Sequence, residues 1–129
     1  MKLLLDTHLL LWLAGAPERL SPEALSWIDH PENDLLFSSA SIWEVCIKAR
    51  LGRSDFHADA GLLRQGLMDN GYLEIPITGR HALTTRLLPP IHRDPFDRIL
   101  IAQALDEGVL LLTGDETLAR YPGPIRIVR

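Results

Sequence analysis

Two short apolar runs restrict the fold of this chain more than any other feature. Residues 3–5 are all leucine, residues 109–112 are a valine followed by three leucines, and each run leads into a polar turn that carries an aspartate, Asp6 or Asp115. Continuous apolar runs of this length between polar turns are typical of strands that are buried on both faces, as in a parallel sheet. The chain is therefore predicted to build a sheet that is covered by helices on both sides.

The rest of the sequence supplies further strands and the helices that alternate with them. Strands are also predicted at 35–37, 72–75 and 125–128, and helices at 21–29, 40–51, 59–70, 79–87, 95–107 and 115–120. Proline near the start of a helical pattern and glycine just past its end mark the boundaries. This alternation predicts an α/β fold with three α/β/α layers and a mostly parallel sheet of about five strands, with residues 1–129 as a single domain.

Composition narrows the class of protein. The chain is 47% hydrophobic and 23% charged, which is ordinary for a globular domain and too apolar for a disordered chain. The apolar run at 9–14 is far shorter than the roughly 20 residues of a membrane-spanning helix, and Asp6 and His8 interrupt any signal-peptide core. A lone Cys46 cannot form an internal disulfide. We therefore expect a cytoplasmic protein that does not enter a membrane.

Five acidic residues lie at positions that an α/β fold could bring to the carboxyl ends of its strands. In such sheets the ligand site lies at the carboxyl ends of the strands, so these acids could converge at one rim. Unit charges about 4 Å apart repel by about 4 kcal/mol per pair at an effective dielectric near 20, and clustered carboxylates therefore require protons or cations. Hard oxygen ligands without several Cys or a paired His favour Mg²⁺ or Mn²⁺ over zinc. The acids are Asp6 and Asp115 after strands, Asp94 and Asp97 at a helix start, and Glu44 within another helix.

Three of these acids have an equally simple structural interpretation. Asp6, Asp94 and Asp115 each precede a helical pattern, where an aspartate accepts hydrogen bonds from the free N–H groups of the first turn. Pro95 follows Asp94 at the first helical position, as expected for a capped helix. Capping and ligand binding both stay open for these residues.

The helix at 40–51 carries the fourth acid, Glu44, and leaves a similar choice. Glu44 stands three residues after Ser41 in a capping-box pattern, and Lys48 follows four residues later as an ion-pair partner. On a helical projection, Glu44 and Lys48 share the side opposite an apolar face that contains Cys46. Cys46 is therefore predicted to lie in the core.

Four stretches, in this order along the chain, resemble those of PIN-domain nucleases. They are LLDTH at 4–8, SSASIWEV at 38–45, DPFDRILIAQA at 94–104 and LTGD at 112–115. The resemblance covers essentially the whole chain, and in detail the chain is similar to VapC-type toxins of type II toxin–antitoxin pairs. It implies a metal-dependent endoribonuclease that hydrolyses RNA phosphodiester bonds with one or two Mg²⁺ or Mn²⁺ ions. The metal-binding and catalytic set that it implies is Asp6, Glu44, Asp97 and Asp115, with Asp94 as an accessory acid.

Two threonines lie beside the implied metal ligands, and the resemblance also implies a partner protein. Thr7 and Thr113 lie beside Asp6 and Asp115 and could hydrogen-bond a carboxylate, a water or a phosphate, or could simply cap the local backbone. The resemblance also implies a VapB-type antitoxin whose C-terminal segment covers the active-site groove, and a homodimer.

The implied RNA substrate directs attention to basic residues. The segment at 80–98 is locally basic, and its arginines are predicted to contact the RNA backbone, with a solvated or protein-binding face as the alternative. The net charge of −4 comes from 17 acidic and 13 basic residues, and removal of the four implied ligands leaves the rest of the chain formally neutral. The predicted RNA contacts are Arg80, Arg86, Arg93 and Arg98.

Two other functions compete with this interpretation. A catalytically inactive PIN-like interaction module would have the same motifs, because the sequence alone does not bring the acids together. A receiver-type signalling domain would place a lysine late in the chain, whereas the only lysines here are Lys2 and Lys48.

Overall fold

The first apolar run forms the middle strand of a parallel sheet. The structure is a computed structural model, and it describes residues 1–128. Within that range the strands are β1 (Lys2–Leu5), β2 (Asp34–Ser38), β3 (Leu73–Ile75), β4 (Leu110–Thr113) and β5 (Ile125–Ile127). The helices are α1 (Thr7–Gly15), α2 (Pro22–Ile28), α3 (Ser39–Arg50), α4 (Ala60–Asp69), α5 (Gly79–Thr84) and α6 (Pro95–Glu107).

The strand order is β3-β2-β1-β4-β5, and every neighbouring pair is parallel. The predicted α/β class and the sheet of about five strands are confirmed. From β1 the chain first adds strands on one side and then returns to the other side of β1 to form β4. The gap between the carboxyl ends of β1 and β4 is therefore the topological switch point, where α/β sheets place their ligand sites.

Alternate side chains of the sheet enter two separate cores. Leu3 and Leu5 of β1 pack with residues of α1 to α4, whereas Leu4 packs on the opposite face with Leu100 and Ile101 of α6. Helices on both faces bury both sides of the sheet, which is why the strand sequence is continuously apolar. None of the helices in residues 1–128 is both long enough and apolar enough to cross a membrane.

Helix α3 is turned relative to its prediction. Cys46 is exposed, so its predicted place in the core is wrong, and Glu44 is buried instead. The inward face carries Ser41, Glu44 and Val45, because the polar groups of this face find hydrogen-bond partners on α1. A helical projection places only apolar side chains in the core, but buried polar side chains are also favourable where they find hydrogen-bond partners, as Ser41 and Glu44 do on Thr7.

Two segments predicted as α-helices are partly or wholly 3₁₀ helices in the structure. The helix predicted at 79–87 divides into α5 and a 3₁₀ helix at Thr85–Leu87, and the pattern at 115–120 forms a 3₁₀ helix at Glu116–Arg120. Short 3₁₀ turns are common where a helical segment serves as a connector. Helix α6 has its predicted bounds, and Gly108 ends it in the left-handed conformation, at φ 65°.

Candidate active site

The five acids converge beside the switch point. Asp6 directly follows β1, and Asp115 is the second residue after the end of β4. The first turn of α6 brings Asp97 close to both. Burial is the largest cause of a raised pKa at Asp97, and together with the charges of Asp94, Glu44, Asp6 and Asp115 it brings that pKa to about 8. Four carboxylates that each influence the ionisation of a fifth must share one small region. The geometry therefore brings together all five acids that the sequence singled out.

Asp6 and Asp115 are connected by Thr113. Thr113 Oγ1 donates a hydrogen bond to Asp6 Oδ2 at 2.5 Å and accepts one from the backbone N–H of Asp115 at 3.0 Å. The other oxygen of Asp6 caps α1 by accepting from the N–H of Leu9 at 2.9 Å. Burial raises the pKa of Asp6, although these two hydrogen bonds favour its charged form.

Thr7 plays the corresponding part for Glu44. Its hydroxyl donates to Glu44 Oε1 at 2.5 Å and lies 2.9 Å from Ser41 Oγ. Thr7, Ser41 and Glu44 are all buried, so these contacts hold the glutamate side chain in one position between α1 and α3.

Lys48 completes the contacts on the α3 side. Its ammonium nitrogen donates to Glu44 Oε2 and, at 2.9 Å, to Asp94 Oδ2. The other oxygen of Asp94 caps α6 by accepting from the N–H of Phe96. Burial disfavours the charged form of Asp94, but the bonds from Lys48 and Phe96 outweigh it and lower the pKa of Asp94. Burial likewise opposes the charge of Lys48, whose two carboxylate partners raise its pKa.

His92 is a member of the site that sequence reasoning did not assign to it. Its Nε2 lies 3.3 Å from Asp97 Oδ2 and 3.4 Å from Asp115 Oδ2. Its Nδ1 accepts a hydrogen bond from the N–H of Asp94, so a neutral ring carries its proton on Nε2, which faces the two carboxylates. The sequence showed His92 only as part of a basic segment, because nothing local indicates that the turn before α6 points this ring at β4.

The four predicted RNA-binding arginines have different positions. Arg86 and Arg93 are exposed, and Arg93 stands between His92 and Asp94 in the chain. Arg80 lies near Asp106, which is about 14 Å along α6 from Asp97 at 1.5 Å per residue, and the structure does not bring it to the acids.

Arg98 is held by backbone groups. Its guanidinium donates to the carbonyl oxygens of Pro89, Thr85 and Leu88 at 2.9 to 3.3 Å, and to the hydroxyl of Tyr121 at 3.3 Å. These bonds tie the connector between α5 and α6 to the first turns of α6. The connector also carries Arg86.

The donor atoms of this cluster suit a hard divalent cation. One oxygen each of Asp97 and Asp115 and the Nε2 of His92 lie within 4.8 Å of one another, and Asp6 and Glu44 are close enough for their charges to act on Asp97. The like charges that raise the pKa of Asp97 identify a place where a positive charge is favoured. Carboxylate oxygens fit Mn²⁺ or Mg²⁺, whereas a zinc site typically has several Cys or His ligands.

An apolar groove of about 1000 Å³ lies on the α1–α4 face. Its lining includes Trp12 and Leu13 of α1 and Leu62 of α4. Asp55, one of the lining residues, pairs with His8 at 2.9 Å, and the charge of His8 acts on Asp6. The His8–Asp55 pair therefore connects the groove with the acidic cluster.

Comparisons with known proteins identify the family and the fold. The family described as PIN domain matches residues 3–124. Ribonuclease VapC22 of Mycobacterium tuberculosis is 31% identical over 127 residues, which cover 96% of each chain. Solved structures with the same fold include VapBC2 from Rickettsia felis bound to a promoter DNA fragment, with a TM-score of 0.73 and 12% identity over 100% of both chains. Another is Mycobacterium tuberculosis VapC20, described as a sarcin–ricin loop cleaving toxin. Its TM-score is 0.63 and its identity 16%, over 93% of this chain and 96% of that one.

Proposed function

This chain belongs to the PIN domain family, and from that premise we propose that it is a metal-dependent endoribonuclease and the toxin of a VapBC-type toxin–antitoxin pair. Its relative in Mycobacterium tuberculosis is named a ribonuclease, and RNA phosphodiester hydrolysis is the activity we assign to this chain. We place that activity in the cytoplasm, where RNA is available.

The convergence of four other acids on Asp97 is the observation that carries the proposal. Asp6, Glu44, Asp97 and Asp115 would hold one or two Mg²⁺ or Mn²⁺ ions, with Asp94 as an accessory acid. A bound divalent ion supplies the polarisation of the phosphate and the activation of water that hydrolysis of a phosphodiester requires.

The other residues of the site set the positions of the carboxylates. Thr113 and Thr7 hold Asp6 and Glu44 by buried hydrogen bonds, and the Nε2 proton of His92 faces Asp97 and Asp115. Such partners reduce the reorganisation needed when a cation and a phosphate enter. We assign the two threonines and His92 as positioning residues.

Exposed arginines near the site would bind the RNA backbone. Arg93 follows His92 directly, and Arg86 lies on the connector that Arg98 holds against α6. A phosphate contact by either arginine would strengthen binding in a salt-dependent manner. Arg98 contributes indirectly, by fixing the connector, and Arg80 would contact only a longer RNA.

We assign the apolar groove to a VapB-type antitoxin. VapBC complexes are among the structures that share this fold, and a groove lined by Trp12, Leu13 and Leu62 fits an amphipathic segment. Because Asp55 of the groove pairs with His8, two residues after Asp6, we propose that a longer bound segment extends towards the acids. We further propose that the chain forms a homodimer, as the resemblance to VapC toxins implies.

Cleavage of RNA by the purified chain tests the proposed activity. We expect cleavage with Mg²⁺ or Mn²⁺ and none in EDTA, and we expect Asp97→Asn to lower the rate at least 100-fold while the circular dichroism spectrum is retained. Asp69→Asn, at an exposed position on α4, serves as the matched control and should cleave like the wild type. Cleavage in EDTA, or full activity of Asp97→Asn, would refute the assignment.

The inactive interaction module predicts a different pair of results. A functional site is stabilised by a bound cation through mass action, so Mn²⁺ should raise the melting temperature of the wild type. The absence of both RNA cleavage and a Mn²⁺-dependent thermal shift would favour the inactive module.

A further inference from the structure

The chain itself places one positive charge in the acidic cluster, the ammonium group of Lys48. The ammonium nitrogen of Lys48 lies 2.5 Å from Glu44 Oε2 and 2.9 Å from Asp94 Oδ2, and only 12% of the lysine side chain is exposed. Two of its three protons are thus directed at carboxylates from different elements, α3 and the start of α6. A lysine in this position bridges two acids in the way that a metal ion would.

Aromatic rings complete the surroundings of this ammonium group. Lys48 Nζ lies 5.0 Å from the ring centre of Phe56 and 5.6 Å from that of Phe96. Both rings are buried, and each offers the negative face that attracts a cation. Two carboxylates and two rings therefore favour a charged amine at this point, and the short, partly buried contacts leave it little freedom.

The position of Lys48 restricts where divalent ions can bind. Two-metal sites hold their ions about 3.5–4 Å apart, with carboxylates shared between them. A second ion on the Glu44 and Asp94 side would need a distance of about 2.0–2.1 Å to the same oxygens that Lys48 Nζ contacts. It would have to displace an ammonium group that the surrounding residues hold in place.

A second group of polar atoms lies outside the bridge that Lys48 makes. The Nε2 of His92 and one carboxylate oxygen each of Asp97 and Asp115 lie within 4.8 Å of one another, whereas Lys48 donates to Glu44 and Asp94. Asp94 uses one oxygen to cap α6 and the other to bind Lys48, so both of its oxygens already have donors.

On the basis of the proposed nuclease function, we propose that Lys48 is a built-in substitute for a second metal ion, and that the cluster binds a single divalent cation. In this arrangement Asp94 Oδ2 and Glu44 Oε2 are both counterions of Lys48, and Glu44 Oε1, which accepts from Thr7, is the oxygen through which Glu44 would hold the ion. Lys48 acts through Glu44 and Asp94 and is a positioning residue.

Metal stoichiometry tests this directly. Titration with Mn²⁺, followed by the electron paramagnetic resonance signal of the free ion, should give one tightly bound equivalent for the wild type. Lys48→Met matches the length of the lysine stem as far as Cε, with sulfur in place of the δ methylene, and lacks the ammonium group, so it frees the oxygens of Glu44 and Asp94 and should bind two equivalents. Lys48→Arg keeps the positive charge and should bind one.

A second pair of variants keeps the test independent of how Lys48→Met folds. Asp94→Asn retains an N-cap oxygen and should still bind one equivalent of Mn²⁺, with a smaller loss of affinity than Asp97→Asn, which should lose at least tenfold. Two equivalents in the wild type, one in folded Lys48→Met, or a loss in Asp94→Asn as large as that in Asp97→Asn would each overturn the proposal.

These results separate this proposal from the proposed function. Two bound Mn²⁺ ions in a wild-type protein that cleaves RNA would overturn the single-ion inference alone. Failure of the wild type to bind Mn²⁺ at all would overturn both.

Discussion

Each aspartate that caps a helix in this site uses its two carboxylate oxygens for different purposes. Asp6 Oδ1 caps α1, and its Oδ2 accepts from Thr113. Asp115 Oδ1 caps the following 3₁₀ helix, and its Oδ2 faces His92. Asp94 divides its oxygens between the cap of α6 and Lys48 in the same way. Capping and site formation, which are alternatives in the sequence, are therefore compatible, because one oxygen satisfies the helix and orients the other.

The raised pKa of Asp97 predicts how stability depends on pH in the metal-free protein. Between about pH 4 and pH 8 the unfolded chain ionises this carboxyl, while the folded protein keeps its proton, so the free energy of unfolding falls as pH rises. Asp6, whose pKa is also raised, acts in the same direction. Asp94, with a lowered pKa, affects stability only at more acidic pH.

Melting curves in EDTA from pH 5 to pH 8 measure this effect. We expect the melting temperature of the wild type to fall by about 5 °C or more over this range, and that of Asp97→Asn to fall less. Added Mg²⁺ should raise the wild-type melting temperature more at pH 8 than at pH 6, because the cation competes with the proton on Asp97. A melting temperature in EDTA that is independent of pH would contradict the raised pKa.

His92 provides a second test at the residue level. His92→Ala removes the ring nitrogen that faces Asp97 and Asp115, and loss of such an orienting partner typically costs about 10–100-fold in metal affinity. We expect a decrease of that size in Mn²⁺ affinity, measured by titration calorimetry. His30→Ala, at an exposed position, is the control and should bind Mn²⁺ like the wild type. Equal affinities for the two variants would remove His92 from the site.

At the level of secondary structure elements, the connector between α5 and α6 is held by one side chain. Arg98 donates to the carbonyls of Thr85, Leu88 and Pro89, which belong to the connector, and to Tyr121. An arginine that follows a predicted ligand looks like a substrate contact in the sequence. The three carbonyl groups lie 9 to 13 residues earlier in the chain and Tyr121 lies 23 residues later, and no local pattern reveals them.

Arg98→Met tests this role. The variant keeps the apolar stem but loses the guanidinium, and we expect a loss of about 2–3 kcal/mol in the free energy of unfolding, with faster hydrogen exchange at residues 85–91. Arg93→Ala, five residues earlier and exposed, should change the free energy of unfolding by less than about 0.5 kcal/mol. Identical stabilities of the two variants would show that Arg98 does not hold the connector.

At the level of the whole molecule, helix α1 connects the acidic site with the apolar groove, because Asp6 caps its start and Trp12 and Leu13 line the groove. The groove extends between α1 and α4, and its Asp55 pairs with His8 of α1. A segment bound in the groove would be led to the rim of the site by the same helix that Asp6 caps. Inhibition then requires no change in the fold, only coverage of the site.

Two exposed leucines distinguish the groove from the rest of the surface. Leu62 lines the groove and is 74% exposed, whereas Leu87, outside the lining, is 75% exposed. We expect Leu62→Asp to abolish co-purification with the co-expressed cognate antitoxin while RNA cleavage in its absence is unchanged. Leu87→Asp should retain the antitoxin. Loss of antitoxin from Leu87→Asp alone would place the antitoxin on a different surface.

Much of the fold was determined by the sequence. The apolar runs at 3–5 and 109–112, the prolines and glycines at helix ends, and the aspartates after strands act through local geometry, and local geometry is what a sequence pattern records. For this reason the parallel sheet and the bounds of α6 were predicted, and the five acids could be named before their positions were known.

The tertiary structure alone decided how the site is assembled. Thr7 and Glu44 are 37 residues apart, Lys48 and Asp94 are 46 apart, and Thr113 and Asp6 are 107 apart. Pairs so distant meet only after the sheet has formed, and their energies depend on burial and on neighbouring charge, which no local window contains. The inward turn of Glu44 on α3, the place of His92 and the bridge made by Lys48 therefore follow from the packing of the whole chain.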